Sequence, residues 1–213
     1  MRQQAEQHEL FAEAQPPAPC LRVPDDQPML MHPTGIIYRD DFITEAEEQD
    51  LLNAIDNAPW ICDLERRVQH YGYRYSYNKR RVGADSKIGD LPDWSRAVTD
   101  RLVDAGFFEQ HPDQLIVNEY MPGQGIARHI DSDCFGPVIA AVSLGSDCML
   151  DIHPPPDRGA SFEIAVLRRS LMVYRGLGRS EYAHGIRKRK NDPQNGLKIP
   201  RERRVSLTFR TVL

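Results

Sequence analysis

The chain has 213 residues, of which 40% are hydrophobic, and a formal net charge of −4. This length is enough for one domain with a substantial core, and no apolar run approaches the roughly 18 residues of a membrane-spanning helix. The negative balance excludes a protein that coats nucleic acid through its overall charge. Because the sequence opens on polar residues without the apolar segment of a secretory signal, we expect a cytoplasmic protein, or a nuclear one in a eukaryote.

Residues 1–33 are predicted to be a disordered tail. The segment is polar and lacks a sustained apolar period, so packing would not offset the entropy lost on ordering it. Residues 34–213 are then predicted to form a single domain. Six prolines interrupt the tail: Pro16, Pro17, Pro19, Pro24, Pro28 and Pro33.

Two helices are predicted in the first half of the domain, after a strand over residues 35–43. Thr44 and Glu47 match a capping box, in which each side chain bonds the backbone of the other residue, and this helix should stop before the next proline. A second helix is predicted over residues 94–105, with Asp93 as its N-cap.

From about residue 114 onward the sequence is typical of strands. Short segments rich in β-branched and aromatic residues alternate with turn-forming residues. Two helices followed by antiparallel strands predict an α+β fold, mainly β, with a double-stranded β-helix (jelly roll) core and the N-terminal helices packed on one face. The predicted strands are 115–120, 138–144, 149–152, 162–167, 171–174 and 205–212.

A His-x-Asp motif at His129 and Asp131 follows a predicted strand and a turn that contains two glycines. In extended chain, residues two apart point the same way, so the imidazole and the carboxylate can converge on one metal ion. The same spacing recurs at His111 and Asp113, in a segment whose central proline suits a loop. The spacing alone does not choose between the two motifs.

The last predicted strand alternates completely between apolar and polar residues. Arg204, Ser206, Thr208 and Arg210 share one face, which in an ordinary half-buried strand would lie in solvent. If this face points into the sandwich, its guanidiniums require anions to offset their desolvation, and a small dicarboxylate suits two of them. His184, upstream of this strand, would complete a metal site of two imidazoles and one carboxylate, although a lone histidine is more often a core or surface residue.

Taken in order, these motifs resemble the AlkB family of iron(II)- and 2-oxoglutarate-dependent dioxygenases. The resemblance covers roughly residues 35–213 and implies an enzyme that uses Fe(2+), 2-oxoglutarate and O2. It also selects His129 over His111, and it implies that His129, Asp131 and His184 bind the iron and are the catalytic residues. The residues that carry the resemblance are Asn118, Tyr120, His129, Asp131, His184, Arg204, Ser206, Thr208 and Arg210.

The same resemblance assigns the residues that bind 2-oxoglutarate. Arg204 would bind the distal carboxylate with help from Tyr120. Arg210 and Asn118 would lie near the carboxylate and keto end of the molecule. Ser206 belongs to the same row, but several family members carry Asn there, so a contact made by that amide is missing in this chain.

A part of the chain around residues 60–92 is predicted to form a nucleotide-recognition lid. Between residues 65 and 81, tyrosines alternate with basic residues, and aromatic rings can stack on an unpaired base while guanidiniums neutralise phosphates. A β-hairpin whose tyrosines cover the core explains the pattern equally well. A second basic cluster, over residues 187–203, could extend a phosphate track or be a solvated loop. The candidate substrate-binding residues are Arg66, Arg67, Tyr71, Tyr73, Tyr75, Tyr77, Arg80 and Arg81.

The resemblance implies oxidative removal of alkyl groups from N-alkylated bases, such as 1-methyladenine and 3-methylcytosine, in DNA or RNA. An alternative is hydroxylation of a modified wobble uridine in tRNA, because residues 69–73 (Gln-His-Tyr-Gly-Tyr) also look like that branch of the family. An oxygenase that acts on protein, or a metal-binding module without turnover, is the alternative from another class. The expected partner is nucleic acid, single-stranded or with a flipped base, and the expected state is a monomer without membrane association.

Overall fold

Two β-sheets contain 12 of the 16 strands of the described chain, which in this computed structural model comprises residues 20–21, 29–32, 34–194 and 196–213. The major sheet has seven strands, in the order β2 (Met29–Met31), β3 (Ile36–Arg39), β12 (Leu171–Tyr174), β9 (Phe135–Leu144), β16 (Arg204–Val212), β7 (Gln114–Tyr120) and β4 (Val68–Tyr71). The minor sheet has five strands, in the order β1 (Cys20–Leu21), β11 (Phe162–Val166), β10 (Cys148–His153), β13 (Ala183–Ile186) and β8 (Ile126–His129).

Hairpins and helices complete the described elements. One hairpin joins β5 (Tyr73–Ser76) to β6 (Arg81–Lys87), and the other joins β14 (Asn191–Gln194) to β15 (Leu197–Pro200). The α-helices are α1 (Glu45–Asp56), α2 (Arg96–Asp104) and the short α3 (Leu177–Ser180), and a 3-10 turn (Asp93–Ser95) precedes α2. No described helix is both long and apolar enough to cross a membrane.

The major sheet is buried on both faces. In β12, Leu171 and Val173 pack in the cluster that contains the apolar faces of α1 and α2. Met172 and Tyr174, which alternate with them, pack in the cluster shared with the minor sheet. This order of helices, major sheet and minor sheet requires nearly continuous apolar strands, and it confirms the mainly β jelly-roll fold with the N-terminal helices on one face.

The first predicted helix forms as expected, whereas the start of the second differs. The Thr44 hydroxyl accepts from the backbone of Glu47, and the Glu47 carboxylate accepts from the backbone of Thr44, so both bonds of the capping box are present before α1. Asp93 is not the N-cap of α2. It begins the preceding 3-10 turn, and Ser95 is the N-cap residue, without a capping side-chain bond.

Six of the ten strands from residue 114 onward were predicted, and β8, β13, β14 and β15 were not. Each of the six strands predicted after residue 114 is present, with ends within three residues of the predicted ones. The strand predicted over 35–43 ends at Arg39, because Asp41 adopts a positive φ of 42° and turns the chain toward α1. Most of the predicted tail, 1–33, lies outside the described residues. Within it, β1 pairs with β11 and β2 pairs with β3.

Candidate active site

Three side chains with metal-binding atoms converge at β8 and β13 of the minor sheet. His129 ends β8, Asp131 follows two residues later, and His184 lies in β13 opposite His129 in register. The candidate ligand atoms lie within 4.8 Å of one another, and His184 Nε2 is 3.7 Å from Asp131 Oδ2. The structure therefore brings together the three residues predicted to bind metal, whereas His111 pairs with Asp100 on the surface.

Neighbouring groups fix the orientation of both imidazoles. The Nδ1 atom of His129 lies 2.9 Å from the carbonyl oxygen of Ala127. A hydrogen bond there places the proton on Nδ1 and leaves Nε2 free to bind a metal. On the other side, the ring of Tyr174 stacks on the imidazole of His184 with centroids 4.5 Å apart.

Asp131 is held by two arginines. Arg210 Nη2 donates to its Oδ1 over 2.6 Å, and Arg179 Nη1 donates to its backbone carbonyl over 3.1 Å. Burial alone would raise the pKa of Asp131, but nearby positive charge, above all that of Arg210, outweighs it and lowers that pKa to about 2. Burial lowers the pKa of His184 to about 4. An ionised carboxylate and neutral imidazoles are the forms that bind metal, and this donor set suits iron(II).

A cavity of about 490 Å³ opens beside these three side chains. Its wall includes the polar face of β16, formed by Arg204, Ser206, Thr208 and Arg210. The structure therefore directs this row inward, where a polar face needs a ligand, and not into solvent. The opposite face of β16 packs in the core through Val205, Leu207 and Phe209.

Arg204 is a buried cation without an acidic partner among the described residues. It is 7% exposed, its Nη2 donates to Ser143 Oγ over 2.7 Å, and its Nε has no hydrogen-bond partner. Its guanidinium also lies 5.5 Å from the centroid of the Tyr120 ring. A buried guanidinium needs an anion to offset its desolvation, so this position fits one carboxylate of a bound dicarboxylate.

The remaining residues predicted to bind 2-oxoglutarate line the same cavity. Asn118 and Ser206 face each other in register across β7 and β16. The Asn118 side-chain oxygen accepts a hydrogen bond from Arg66 Nε over 2.9 Å, so a residue predicted to bind 2-oxoglutarate is linked to a residue of the predicted lid. Arg210 differs from Arg204 because it already pairs with a carboxylate, that of Asp131.

Half of the predicted substrate-binding residues line the cavity, namely Arg66, Tyr75, Tyr77 and Arg80. The ring of Tyr75 packs against Phe135 and meets the ring of Tyr77 edge-on, with centroids 5.4 and 5.2 Å away. Aromatic side chains and guanidiniums are thus combined on the lid side of the cavity.

The other four candidates do not line this cavity. Arg67 pairs with Glu119 at 2.5 Å, and Tyr71 packs edge-on against Trp94. Tyr71 belongs to β4 and the later tyrosines to the hairpin, because Gly72 turns the chain between them with a φ of 74°. The continuous alternation in sequence therefore spans two separate structures. The candidates outside the cavity are Arg67, Tyr71, Tyr73 and Arg81.

The second basic cluster is largely neutralised within the protein. Five of its side chains form ion pairs with carboxylates, so they do not make the open phosphate track that the sequence allowed. The pairs are Arg187 with Asp151, Lys188 with Glu65, Arg189 with Glu163, Arg201 with Asp192 and Arg203 with Glu119.

Several residues of the site were not predicted. Ser143 bonds Arg204, Tyr174 stacks on His184, and Arg179 holds the loop after Asp131. Tyr174 and Ser143 lie on strands that pair with their neighbours across the sheet, and the apolar pattern marks them only as interior positions. Arg179 lies in the four-residue helix α3, which is too short for a periodic signal.

Comparisons with known proteins agree with this geometry. The sequence profile of the 2OG-Fe(II) oxygenase superfamily matches residues 61–210. A Xenopus tropicalis protein, tRNA (carboxymethyluridine(34)-5-O)-methyltransferase alkbh8, is 34% identical over 75% of this chain, which spans only 26% of that protein. A Danio rerio protein, named "Probable RNA/DNA demethylase ALKBH6", is 32% identical over 91% of this chain and 93% of its own length.

A solved structure shares the fold. The structure of OsALKBH1 superposes with a TM-score of 0.65 at 18% identity, over 86% of this chain and all of that one. The superfamily match covers most of the sequence, and the zebrafish relative matches nearly end to end. The chain therefore belongs to the AlkB family of 2OG-Fe(II) oxygenases, and it is a dioxygenase that depends on iron(II), 2-oxoglutarate and O2.

Proposed function

We propose that this enzyme oxidises a carbon attached to a base of a nucleic acid. The observation that carries the proposal is the cavity itself, where the three metal-binding side chains lie in one space with Tyr75, Tyr77 and two lid arginines. Aromatic rings can stack on an unpaired or flipped base, and guanidiniums can contact acceptor atoms of the base or its phosphates.

In this proposal each side chain of the cavity has a defined role. His129, Asp131 and His184 would hold iron(II), and Arg204 would bind the distal carboxylate of 2-oxoglutarate while Tyr120 packs beside it. With 2-oxoglutarate and O2, bound iron supplies the oxidising power to insert one oxygen atom into a substrate C–H bond, with succinate and carbon dioxide as co-products. The protein positions the base and keeps Asp131 ionised and His184 neutral, the protonation states that bind metal.

The fate of the product depends on the atom to which the oxidised carbon is attached. A hydroxymethyl group on a ring nitrogen is lost as formaldehyde, so oxidation of an N-alkylated base, such as 1-methyladenine or 3-methylcytosine, restores the base. This candidate is supported by the name of the zebrafish relative, a probable demethylase of RNA or DNA, which matches the chain over almost its full length.

A carbon attached to a ring carbon would instead remain in place and carry the new hydroxyl. Hydroxylation of a modified wobble uridine in tRNA is therefore the second candidate. The Xenopus relative, whose name refers to carboxymethyluridine at position 34 of tRNA, supports it, although this chain spans about a quarter of that protein.

Succinate release tests the proposed class of substrate. The full chain is assayed with iron(II) and 2-oxoglutarate, and with methylated single-stranded oligonucleotides, tRNA or a histone-like peptide as the added substrate. The proposal predicts that nucleic acid stimulates succinate formation and that an Asp131→Ala variant forms none above background. Stimulation by the peptide alone would contradict it.

A further inference from the structure

We propose that Arg66 and Tyr77 make the cavity selective for a base that presents carbonyl oxygens or negative charge, and that they disfavour a positively charged base. This inference rests on the proposed function, because it concerns the base that enters the same cavity. Within the proposed function it favours neutral bases, among them a modified uridine, over N-alkylated bases that are cations at neutral pH, such as 1-methyladenine and 3-methylcytosine.

Arg66 extends from the predicted lid to Asn118, one of the residues predicted to bind 2-oxoglutarate. Its Nε donates to the side-chain oxygen of Asn118, and its guanidinium carbon lies 5.8 Å from the ring centroids of both Tyr77 and Tyr120. Among the residues that the structure describes, neither terminal nitrogen of Arg66 has a hydrogen-bond partner or a carboxylate at ion-pair distance. Because arginine is only a donor and this side chain is part-buried, its terminal nitrogens are available to acceptor atoms of a ligand in the cavity.

Tyr77 provides a second donor without a partner. Its hydroxyl oxygen is buried and makes no hydrogen bond to any described residue. The ring is held edge-on by His70 and Tyr75, with centroids 5.7 and 5.2 Å away, so the hydroxyl has a fixed position. Burial raises the pKa of Tyr77, which keeps the hydroxyl protonated and able to donate. Carbonyl oxygens of a base are suitable acceptors for both groups.

The charges around the cavity favour the same class of base. Two carboxylates line the cavity, Glu65 and Asp131, and each pairs with a basic side chain of the lining. A dicarboxylate bound at Arg204 would neutralise one further guanidinium, which leaves three without an anion. This local excess contrasts with the net charge of −4 for the whole chain. Arg80 and Arg128 are exposed and screened by solvent, so the repulsion of a cationic base comes mainly from the part-buried Arg66. The basic side chains of the lining are Arg66, Arg80, Arg128, Lys188, Arg204 and Arg210.

Two methylated pyrimidines form a matched test. 3-Methylcytosine and 3-methyluracil carry the same methyl group on the same ring nitrogen, but the first is a cation at neutral pH and the second is neutral with two carbonyl oxygens. Each is placed in the same fluorescent single-stranded oligonucleotide. Binding to the full chain, loaded with iron(II) and 2-oxoglutarate in the absence of O2, is followed by anisotropy.

The expected result is roughly tenfold tighter binding of the 3-methyluracil strand, the size of one charge-assisted hydrogen bond. Arg66→Met should bring the ratio of the two dissociation constants close to one, and Tyr77→Phe should reduce it less. Arg81→Met is the matched control, since it removes the same charge from the same lid outside the cavity and should keep the ratio.

Equal binding of the two strands by the parent protein would overturn the inference, as would an unchanged ratio in a folded Arg66→Met variant. A variant that loses affinity for 2-oxoglutarate but keeps the ratio would assign Arg66 to the co-substrate and also overturn it. Failure of the proposed function looks different, because then neither methylated strand would bind more tightly than the unmethylated strand.

Discussion

Two arginines three residues apart, Arg201 and Arg204, are equally buried but differ in their partners. They are 8% and 7% exposed, respectively. Arg201 donates to both carboxylate oxygens of Asp192, over 2.6 and 2.8 Å, and to the carbonyl of Arg187. Among the described residues, Arg204 has only the hydroxyl of Ser143 as a hydrogen-bond partner. Arg201 is thus compensated within the fold, whereas Arg204 needs an anion from outside the chain.

The difference shows that burial alone does not distinguish a structural arginine from a binding arginine. Both side chains were desolvated on folding, which costs several kcal/mol for an uncompensated ion. In the region of Arg201 the fold supplies the matching carboxylate. At Arg204 the fold supplies no carboxylate. A bound anionic ligand would compensate this charge and raise the free energy of unfolding of the protein.

The largest expected effect is on stability, at Arg201. Arg201→Met should lower the free energy of unfolding by about 3 kcal/mol, because it removes two charge-assisted hydrogen bonds from the buried carboxylate of Asp192 and leaves Arg189 as its remaining ion-pair partner. Denaturant unfolding measures this change. The double variant Arg201→Met with Asp192→Leu should recover much of the loss, and a single variant as stable as the parent would contradict the structural role.

At Arg204 the effect should fall on the co-substrate instead. Arg204→Met should raise the 2-oxoglutarate concentration for half-maximal succinate formation roughly hundredfold, because a buried carboxylate loses its charge-assisted hydrogen bonds. Its unfolding midpoint without co-substrate should be no lower than that of the parent. Arg204→Lys, which keeps the charge but not the planar fork, should lie between the two. An unchanged 2-oxoglutarate requirement would remove Arg204 from the site.

His70 is a part-buried side chain that has no charge in the folded protein at neutral pH, unlike the two arginines compared above. Burial, reinforced by nearby arginines, lowers the pKa of His70 from 6.5 to about 4. The unfolded state therefore takes up the proton first as the pH falls, and this group should reduce the free energy of unfolding by about 2 to 3 kcal/mol between about pH 7 and pH 4.

Unfolding measured across that pH range tests the assignment. His70→Asn should lose this part of the acid sensitivity, while His111→Asn, at an exposed histidine, should retain it. Equal pH dependence in the parent and in His70→Asn would show that His70 does not cause it. The arginines near His70 are Arg74, Arg210 and Arg66.

The smallest of these effects is expected at Arg210, a third buried arginine on the same strand as Arg204. Because it orients the Asp131 carboxylate, Arg210→Met should weaken metal binding about tenfold, as loss of a partner behind a metal ligand commonly does. Competition with a chelator measures this affinity without turnover. Arg204→Met should keep the parent's metal affinity in the absence of 2-oxoglutarate. A loss of metal affinity in Arg204→Met but not in Arg210→Met would contradict this assignment.

Features with a local cause could be predicted from the sequence. The capping box of α1 needs only Thr44 and Glu47, and the polar face of β16 follows from strict alternation over seven residues. Only part of the metal site could be predicted locally. The spacing of His129 and Asp131 indicated two ligands, whereas His184 was selected only by the family resemblance. The structure places that histidine opposite His129 in register.

Features that depend on the topology could not be predicted in the same way. Lys188 pairs with Glu65 across the cavity mouth, more than a hundred residues away in sequence, and nothing in either neighbourhood indicates the other. The tyrosines of the lid show the same limit. Tyr71 and Tyr75 have equivalent positions in the alternating pattern, but they belong to different sheets, and only Tyr75 faces the cavity.

The account depends most on iron and 2-oxoglutarate occupying one cavity, with the metal held by His129, Asp131 and His184. Calorimetric titration of 2-oxoglutarate into the full chain without O2, with and without iron(II), tests this most directly. We predict one molecule bound per chain and at least roughly tenfold weaker binding when the metal is absent or when Asp131 is replaced by alanine. Equally tight 2-oxoglutarate binding in all three samples would contradict a shared site.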